Sequence, residues 1–237
     1  MMPMLLAADK EVDFSIHHLL EYQFMGQTVY ITTSHVCMFI IIITIMIFAL
    51  FARRKIMHAD EIPTGFQNVV ELIVEALQGF VNSSMGQHGK KYMNYVGTLF
   101  LFVFLSNISG LFGLRPPTAD YGTTFSLALI TFVMIQYNNF RYNKIGAITG
   151  LFQPLWFLFP INLIGEIATP VSMSLRLFGN VMAGTVMMAL YYGLLPIFAK
   201  IGIPSALHVY FDLFSGAIQA YVFCMLTMVF VTQKIEG

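Results

Sequence analysis

The chain has 237 residues, of which 57% are hydrophobic and only 10% are charged. An ordinary soluble domain carries roughly 25% charged residues. So few polar groups could not cover the surface of a soluble enzyme. Such a high apolar content also excludes a disordered chain, which needs low hydrophobicity. Lys plus Arg equals Asp plus Glu, 12 each, so no excess of positive charge is available to bind nucleic acid. Long apolar runs favour a helical integral membrane protein over a transmembrane barrel, whose segments are short and alternating.

The N-terminal part of the chain combines a polar segment, one apolar run and one amphipathic segment. Residues 1–28 are predicted to form an extracytoplasmic segment, and 29–52 are long enough to cross a hydrocarbon core of roughly 30 Å. In 64–85, apolar residues recur at helical spacing with Glu71 and Glu75 on the opposite side. This pattern predicts an amphipathic helix. One alternative is that it packs on its own protein. The other is that it lies on lipid and also docks on a partner protein, because its polar face is acidic, whereas interfacial helices usually carry basic residues there.

The remaining apolar runs predict the other membrane helices. Ordinary runs cover 96–114, 123–137 and 204–232. The stretch 145–199 is unusual, because it has only two charged residues and is interrupted by four prolines. At ~1.5 Å per helical residue, it is far too long for one upright span. We therefore expect an all-α protein with about five membrane helices besides the amphipathic one.

The distribution of basic residues predicts the orientation in the membrane. Eight of the twelve Lys and Arg residues fall in three regions, 53–91, 141–144 and the C-terminal end, which are assigned to the cytoplasm. The N-terminus then lies outside and the C-terminus inside, so 145–199 crosses once and must be tilted, bent or partly re-entrant. In the competing topology, 145–199 forms two ordinary spans, which fits the charge count less well. The eight residues are Arg53, Arg54, Lys55, Lys90, Lys91, Arg141, Lys144 and Lys234.

Arg176 is the most informative residue in this stretch. A charge at the bilayer centre costs about 2.5–3.5 kcal/mol and normally faces protein or water on an ion or substrate path. The alternative is a packing arginine that pairs with Glu166 or Asp212. Asn180 lies one helical turn further on, and the neighbouring small residues would let another helix approach closely.

Other polar residues in the apolar runs are candidates for the same path. Glu166 and Asp212 favour a path, because an unpaired carboxylate in the membrane is expensive. For Gln219, seven residues after Asp212, a path and a helix–helix hydrogen bond remain equally open. His35 and His208 lie near predicted span ends, and we expect them at the interface.

One motif identifies a family. The string Ser-Leu-Arg-Leu-Phe-Gly-Asn-Val-Met-Ala-Gly at 174–184 closely resembles the central motif of subunit a of rotary F-type ATP synthases, bacterial type. The segments 63–71, 106–113 and 116–124 are also similar to family patterns, as is Gln219 with the alanine after it. The resemblance extends from about residue 14 to the C-terminus.

The resemblance implies an ion-translocating stator subunit that is itself non-catalytic. Its peripheral membrane helices would lie in 29–144, and 145–237 would form a tilted helical hairpin that faces a rotating ring of subunit c. Two half-channels would carry protons to and from the ring carboxylates, with Arg176 as the fixed charge between them. The implied ion-pathway residues are Glu166, Asn180, Thr185, Asp212 and Gln219.

The resemblance also implies partners and a location. The partners are the c-ring, the subunit b stator stalk, membrane lipid and, indirectly, the catalytic head, with no nucleic acid. The location is the bacterial plasma membrane. No cofactor, metal or nucleotide chemistry is expected on this chain.

Two departures from the family pattern leave the coupling ion open between H⁺ and Na⁺. Many members carry Glu or His nine residues after the arginine, where this chain has Thr185. The position seven before the matching glutamine often holds His or Glu, and here it is Asp212. Hydroxyl and carboxylate oxygens suit hard cations as well as proton wires. A stand-alone secondary ion transporter is the alternative of another class, disfavoured because the sequence has no internal repeat. A membrane scaffold without an ion path is a third hypothesis.

Overall fold

The computed structural model describes residues 18–24, 27–56, 65–144, 146–152, 155–194 and 203–236. It begins with an antiparallel hairpin of β1, His18–Phe24, and β2, Gln27–Thr32. These strands add a small sheet to a chain that the sequence predicts to be all helical. The hairpin lies mostly within the predicted extracytoplasmic segment.

Helices form most of the described part of the chain, which confirms the predicted helical membrane fold. A π-helical segment, Val209–Ser215, joins the last two helices. Short 3₁₀ turns occupy Gly86–His88, Ser109–Phe112, Pro117–Ala119, Gly150–Phe152 and Trp156–Leu158. The α-helices are α1 (Thr33–Ile56), α2 (Phe66–Met85), α3 (Gly89–Ile108), α4 (Tyr121–Asn143), α5 (Gly146–Thr149), α6 (Phe159–Leu194), α7 (Ile203–His208) and α8 (Gly216–Glu236).

Several of these helices are long and apolar enough to cross a membrane. Four described stretches qualify: Thr33–Arg54, Phe66–Phe112, Trp156–Tyr191 and Ala206–Glu236. Helix α4, which lies outside these stretches, has 23 residues but carries more polar side chains. One of them, Asn138, is buried and accepts a 2.5 Å hydrogen bond from the Tyr92 hydroxyl of α3. The polar groups of α4 are thus accommodated inside the helix bundle.

The predicted amphipathic helix is α2, and it packs on its own protein at both ends. The Phe66 ring lies 5.1 Å from the Phe51 ring of α1. Near the other end, the Phe80 ring lies 4.9 Å from the Tyr221 ring of α8. Part of the apolar face nevertheless stays uncovered, since the Leu72 side chain is 66% exposed.

Helix α6 is uninterrupted over 36 residues, although Pro170 lies inside it. Its length is ~54 Å at 1.5 Å per residue. That length exceeds a hydrocarbon core of roughly 30 Å, so a span of this length has to tilt. A continuous helix also leaves no turn within Phe159–Leu194 for two ordinary antiparallel spans.

The helices that position α6 meet at a tightly packed junction. Helix α4 packs against α6 and α8, while α3 packs against α8. At the start of α8, the Asn107 side chain donates a 3.0 Å hydrogen bond to the Gly216 carbonyl. The same side chain accepts a 2.8 Å hydrogen bond from the Thr118 hydroxyl. A Cβ atom on Gly216 would lie 2.7 Å from Asn107 Cβ, so only glycine permits this approach.

We predict that Gly216→Val separates α3 from α8 and lowers the free energy of unfolding by about 1–3 kcal/mol, the usual cost of overpacking. The measurement is the thermal unfolding midpoint of the purified complex. Gly79→Ala is the matched control, because a Cβ atom at Gly79 would meet no atom within 4 Å. Equal midpoints for the two variants would contradict the prediction.

Candidate functional site

Arg176 lies on an exposed face of α6. Within the described part of the chain, its guanidinium makes no hydrogen bond or ion pair with a side chain or the backbone. The next residue, Leu177, lies about 100° further around the helix, is almost completely buried and holds that face of α6 in the core. Glu166 and Asp212, the two carboxylates considered as partners, pair instead with Lys234 and His208. The packing-arginine interpretation therefore lacks the pairing that it requires.

Small residues continue the exposed face on both sides of Arg176. A Cβ atom on Gly165 or Gly179 would meet no atom within 4 Å, so the rest of the described chain leaves this face uncovered. In a membrane, small side chains allow another helix to approach closely. We call this face the open stripe of α6. Its residues, three or four apart, are Gly165, Ala168, Ser172, Arg176, Gly179 and Ala183, and all are exposed.

A polar cavity of about 550 Å³ lies beside the first half of α6. We call it the inner cavity, because the basic residues predict that this end of the protein faces the cytoplasm. Its lining includes Asn162, Glu166 and Thr169 of α6 and Lys234 of α8. A neighbouring space of about 230 Å³ shares Thr169 with it and is lined by Arg176. Glu166 precedes Arg176 by ten residues, or ~15 Å along the helix. Polar lining thus leads from the start of α6 towards the arginine.

Glu166 is held by two other helices. Its Oε2 atom accepts a 2.7 Å hydrogen bond from Gln136 Nε2 of α4. Its Oε1 atom accepts a hydrogen bond from Lys234 Nζ in the last turn of α8. The Glu166 and Lys234 side chains are 24% and 29% exposed, and both line the inner cavity. The Glu166 carboxylate therefore has a cationic partner 68 residues away, which the sequence did not indicate.

A second cavity, of about 340 Å³, lies beside the later part of α6. We call it the outer cavity. Thr185, His208 and Asp212 line it, as does Arg115 from the turn before α4. Thr185 follows Arg176 by nine residues, or ~13 Å along the helix. The two cavities therefore lie on opposite sides of the arginine along α6.

An imidazole–carboxylate pair lines the outer cavity. His208 Nδ1 lies 2.9 Å from Asp212 Oδ2. The carboxylate lies against Gly110, where a Cβ atom would be 3.0 Å from Asp212 Cγ. Asp212 belongs to the π-helical segment, and such wide turns are frequent at functional sites. Sequence reasoning placed His208 at a span end and missed this pairing, although a spacing of four residues signals a shared helical face.

The other predicted site residues make different contacts. Asn180 accepts a 2.7 Å hydrogen bond from the Ser215 hydroxyl, which ties α6 to the π-helical segment. The Thr185 hydroxyl donates a 3.0 Å hydrogen bond to the Val181 carbonyl of its own helix, which leaves its oxygen able to accept another. The half-buried side chain of Gln219 has no hydrogen-bond partner among the described residues. The structure thus brings Asp212 and Thr185 to the outer cavity and Glu166 to the inner one.

Comparison with known proteins identifies the family. The family model described as "ATP synthase A chain" matches residues 35–232. The chain belongs to the ATP synthase subunit a family. It is a multi-pass membrane protein with the role of the ion-translocating stator subunit.

Individual relatives agree over most of the chain. A protein named "ATP synthase subunit a, sodium ion specific" from Propionigenium modestum is 40% identical over 214 residues, covering 83% of this chain and 71% of the relative. "ATP synthase subunit a" of Moorella thermoacetica is 34% identical, covering 84% and 88%. The protein of that name in Priestia megaterium is 36% identical, covering 74% and 80%.

We predict that Asp212→Asn in the assembled complex lowers ATP-driven ion transport without abolishing it. The change keeps the shape of the side chain but removes the negative charge opposite His208. Loss of one interaction of about 1–2 kcal/mol corresponds to a roughly fivefold to thirtyfold lower rate. The initial rate of transport into sealed vesicles is the measurement, normalised to the amount of subunit in the complex. Unchanged transport would give Asp212 a structural role only.

Proposed function

We propose that the chain provides two half-channels through which the coupling ion reaches and leaves the c-ring of a bacterial ATP synthase. The observation that carries the proposal is the arrangement along α6. The inner and outer cavities lie on opposite sides of Arg176, and the arginine lies on the uncovered stripe. An ion that passes between the cavities needs a carrier outside this chain, and a carboxylate of subunit c fits that need.

Arg176 has two roles in this mechanism. A guanidinium stays protonated at physiological pH, so it is a fixed charge rather than a carrier. It attracts the ionised carboxylate of the ring and thereby favours release of the ion from that carboxylate. It also repels cations that would leak directly from one cavity to the other. Each charge moved through 100 mV supplies ~2.3 kcal/mol. Several such steps per turn of the ring together supply the free energy for ATP synthesis in the catalytic head.

The remaining site residues act at the two ends of the route. Asp212, with Thr185 near it, receives the ion in the outer cavity, and Glu166 takes part in its passage through the inner cavity. Asn180 holds α6 against the π-helical segment between the cavities. Gln219, whose amide is unpartnered among the described residues, is available to a ring carboxylate or to water.

The exposed surfaces support the proposed assembly. The open stripe of α6 suits close approach of a ring helix because its side chains are small. Helix α1 exposes large apolar side chains, among them Phe39 and Ile47, which lipid or the membrane part of subunit b would cover. The distribution of basic residues supports an orientation with the N-terminus outside and the C-terminus in the cytoplasm. In this assignment 1–28 is extracytoplasmic, 29–144 is peripheral, and 145–237 forms the half-channels.

Protons are the first candidate for the coupling ion. His208 and Asp212 lie 2.9 Å apart in the outer cavity, and an imidazole next to a carboxylate is a suitable proton relay. Sodium is the second candidate, because a relative that is 40% identical is named as sodium ion specific. The Thr185 oxygen and the Asp212 carboxylate could both contact a hard cation.

The decisive experiment uses the purified whole complex in sealed liposomes with the catalytic head outside. ATP is added in sodium-free buffer, and internal acidification is followed. Acidification is the result expected for proton coupling. No acidification, followed by Na⁺ uptake when sodium is added, would assign the sodium pathway. Movement of neither ion by an intact complex that hydrolyses ATP would overturn the proposed function. Ion transport by this chain alone would instead favour a stand-alone transporter.

We predict that Arg176→Gln abolishes coupled transport while the complex still assembles. The exposed guanidinium makes no hydrogen bond or ion pair within the described chain that the fold would lose. Arg53→Gln is the matched control, because Arg53 is exposed at the end of α1 and lies outside both cavities. ATP-driven pumping and the amount of subunit in the complex are measured together. Persistent pumping by the assembled Arg176→Gln complex would favour a scaffold without an ion path.

A further inference from the structure

The Lys234 side chain reaches into the inner cavity from the last turn of α8. Its backbone carbonyl accepts a 3.1 Å hydrogen bond from Asn143 Nδ2, which ties this turn to the end of α4. Its ammonium group donates to Glu166 Oε1. The lysine is therefore held at the cavity by its backbone as well as by its charge.

The inner cavity contains one charge of each sign. Among the described residues that line it, Glu166 and Lys234 are the charged side chains. The other groups near the carboxylate are neutral: Gln136 on α4, and Asn162 and Thr169 on α6. Arg176 lines the adjoining space. The ammonium group thus occupies the position that a travelling cation would otherwise take at this carboxylate.

We infer that Lys234 is a tethered counter-cation that sets the affinity of the inner cavity for the coupling ion. The inference rests on the proposed function. Glu166 attracts the ion into the cavity, and the ammonium group competes with the ion for the carboxylate. Without this competition, Glu166 would retain the ion that has to leave. Lys234 is a positioning residue in this scheme, since it acts on the ion through Glu166.

The geometry permits the competition to be reversible. Both side chains are partly exposed and line the cavity, so the ammonium group has space to move away from the carboxylate. Lysine has a flexible four-carbon stem and a compact charge, which suits repeated displacement. Gln136 keeps its hydrogen bond to the other carboxylate oxygen, so Glu166 stays in place while Lys234 moves.

The test replaces Lys234 in the whole complex and measures ATP-driven transport against the concentration of the coupling ion on the side of the catalytic head. For Lys234→Met, the half-saturating concentration should fall roughly threefold to tenfold, because a partly exposed carboxylate loses an adjacent positive charge. ATP synthesis should also slow when that side has a high ion concentration. Lys234→Gln, which can still donate a hydrogen bond, should shift in the same direction, whereas Lys234→Arg should resemble the wild type.

Two controls separate this role from a structural one. Lys90→Met removes an exposed lysine outside the inner cavity and should leave the half-saturating concentration unchanged. The double variant Glu166→Gln/Lys234→Met should match Glu166→Gln alone, because the lysine then has no carboxylate to neutralise. The double variant removes both charges, so neither is left unpaired. Lys234→Gln supplies the measurement of the shift if Lys234→Met assembles poorly.

The outcomes distinguish the inference from the function on which it depends. A shift for Lys234→Met that is absent in the Glu166→Gln background supports the inference. Assembled Lys234→Met and Lys234→Gln complexes that both behave like Lys90→Met would overturn it, as would a shift that persists with Glu166→Gln. If the wild-type complex pumps neither H⁺ nor Na⁺, the proposed function itself fails.

Discussion

The constraint on which the rest of the structure depends is the free energy of a permanent charge in the membrane. Arg176 carries that charge on a face of α6 that the described chain leaves uncovered. Exposure of a guanidinium to hydrocarbon is unfavourable, so the face has to meet water or a partner with negative charge. The small residues along the open stripe allow such a partner to come close. The exposed arginine thus sets what this face can meet: water, or a partner that carries negative charge.

The packing of α6 determines how polar space is divided on either side of that charge. Met173 and Leu177 anchor one face of the helix in the core. Polar side chains line a cavity before this point, at Glu166, and another after it, at Thr185. The inner cavity contains a cation–carboxylate pair, and the outer cavity contains an imidazole–carboxylate pair. The two cavities therefore have different chemistry at their carboxylates. Because each carboxylate has a different partner, the two cavities differ in how strongly they would hold an ion that enters at one and leaves at the other.

Close helix packing holds these groups in register. The Asn107 side chain donates a hydrogen bond to the Gly216 carbonyl and accepts one from the Thr118 hydroxyl. Gly216 has no side chain that would prevent this close approach. That junction positions the start of α8 and the π-helical segment just before it, where Asp212 lies. Tyr92 and Asn138 tie α3 to α4 in a similar way. Buried polar pairs of this kind cost little when each partner is satisfied, and they favour one arrangement of helices over others.

The sequence by itself determined the helical membrane fold, the amphipathic α2, the unusual length of α6 and the position of Arg176. These are local properties, because hydrophobic periodicity, run length and one charge in an apolar run are all read from neighbouring residues. The spacing of His208 and Asp212 was also local, although sequence reasoning did not use it. Only the tertiary structure decided that Lys234 pairs with Glu166 and that two cavities flank the arginine. Those contacts join distant helices, and their existence depends on how side chains of α4, α6 and α8 pack together.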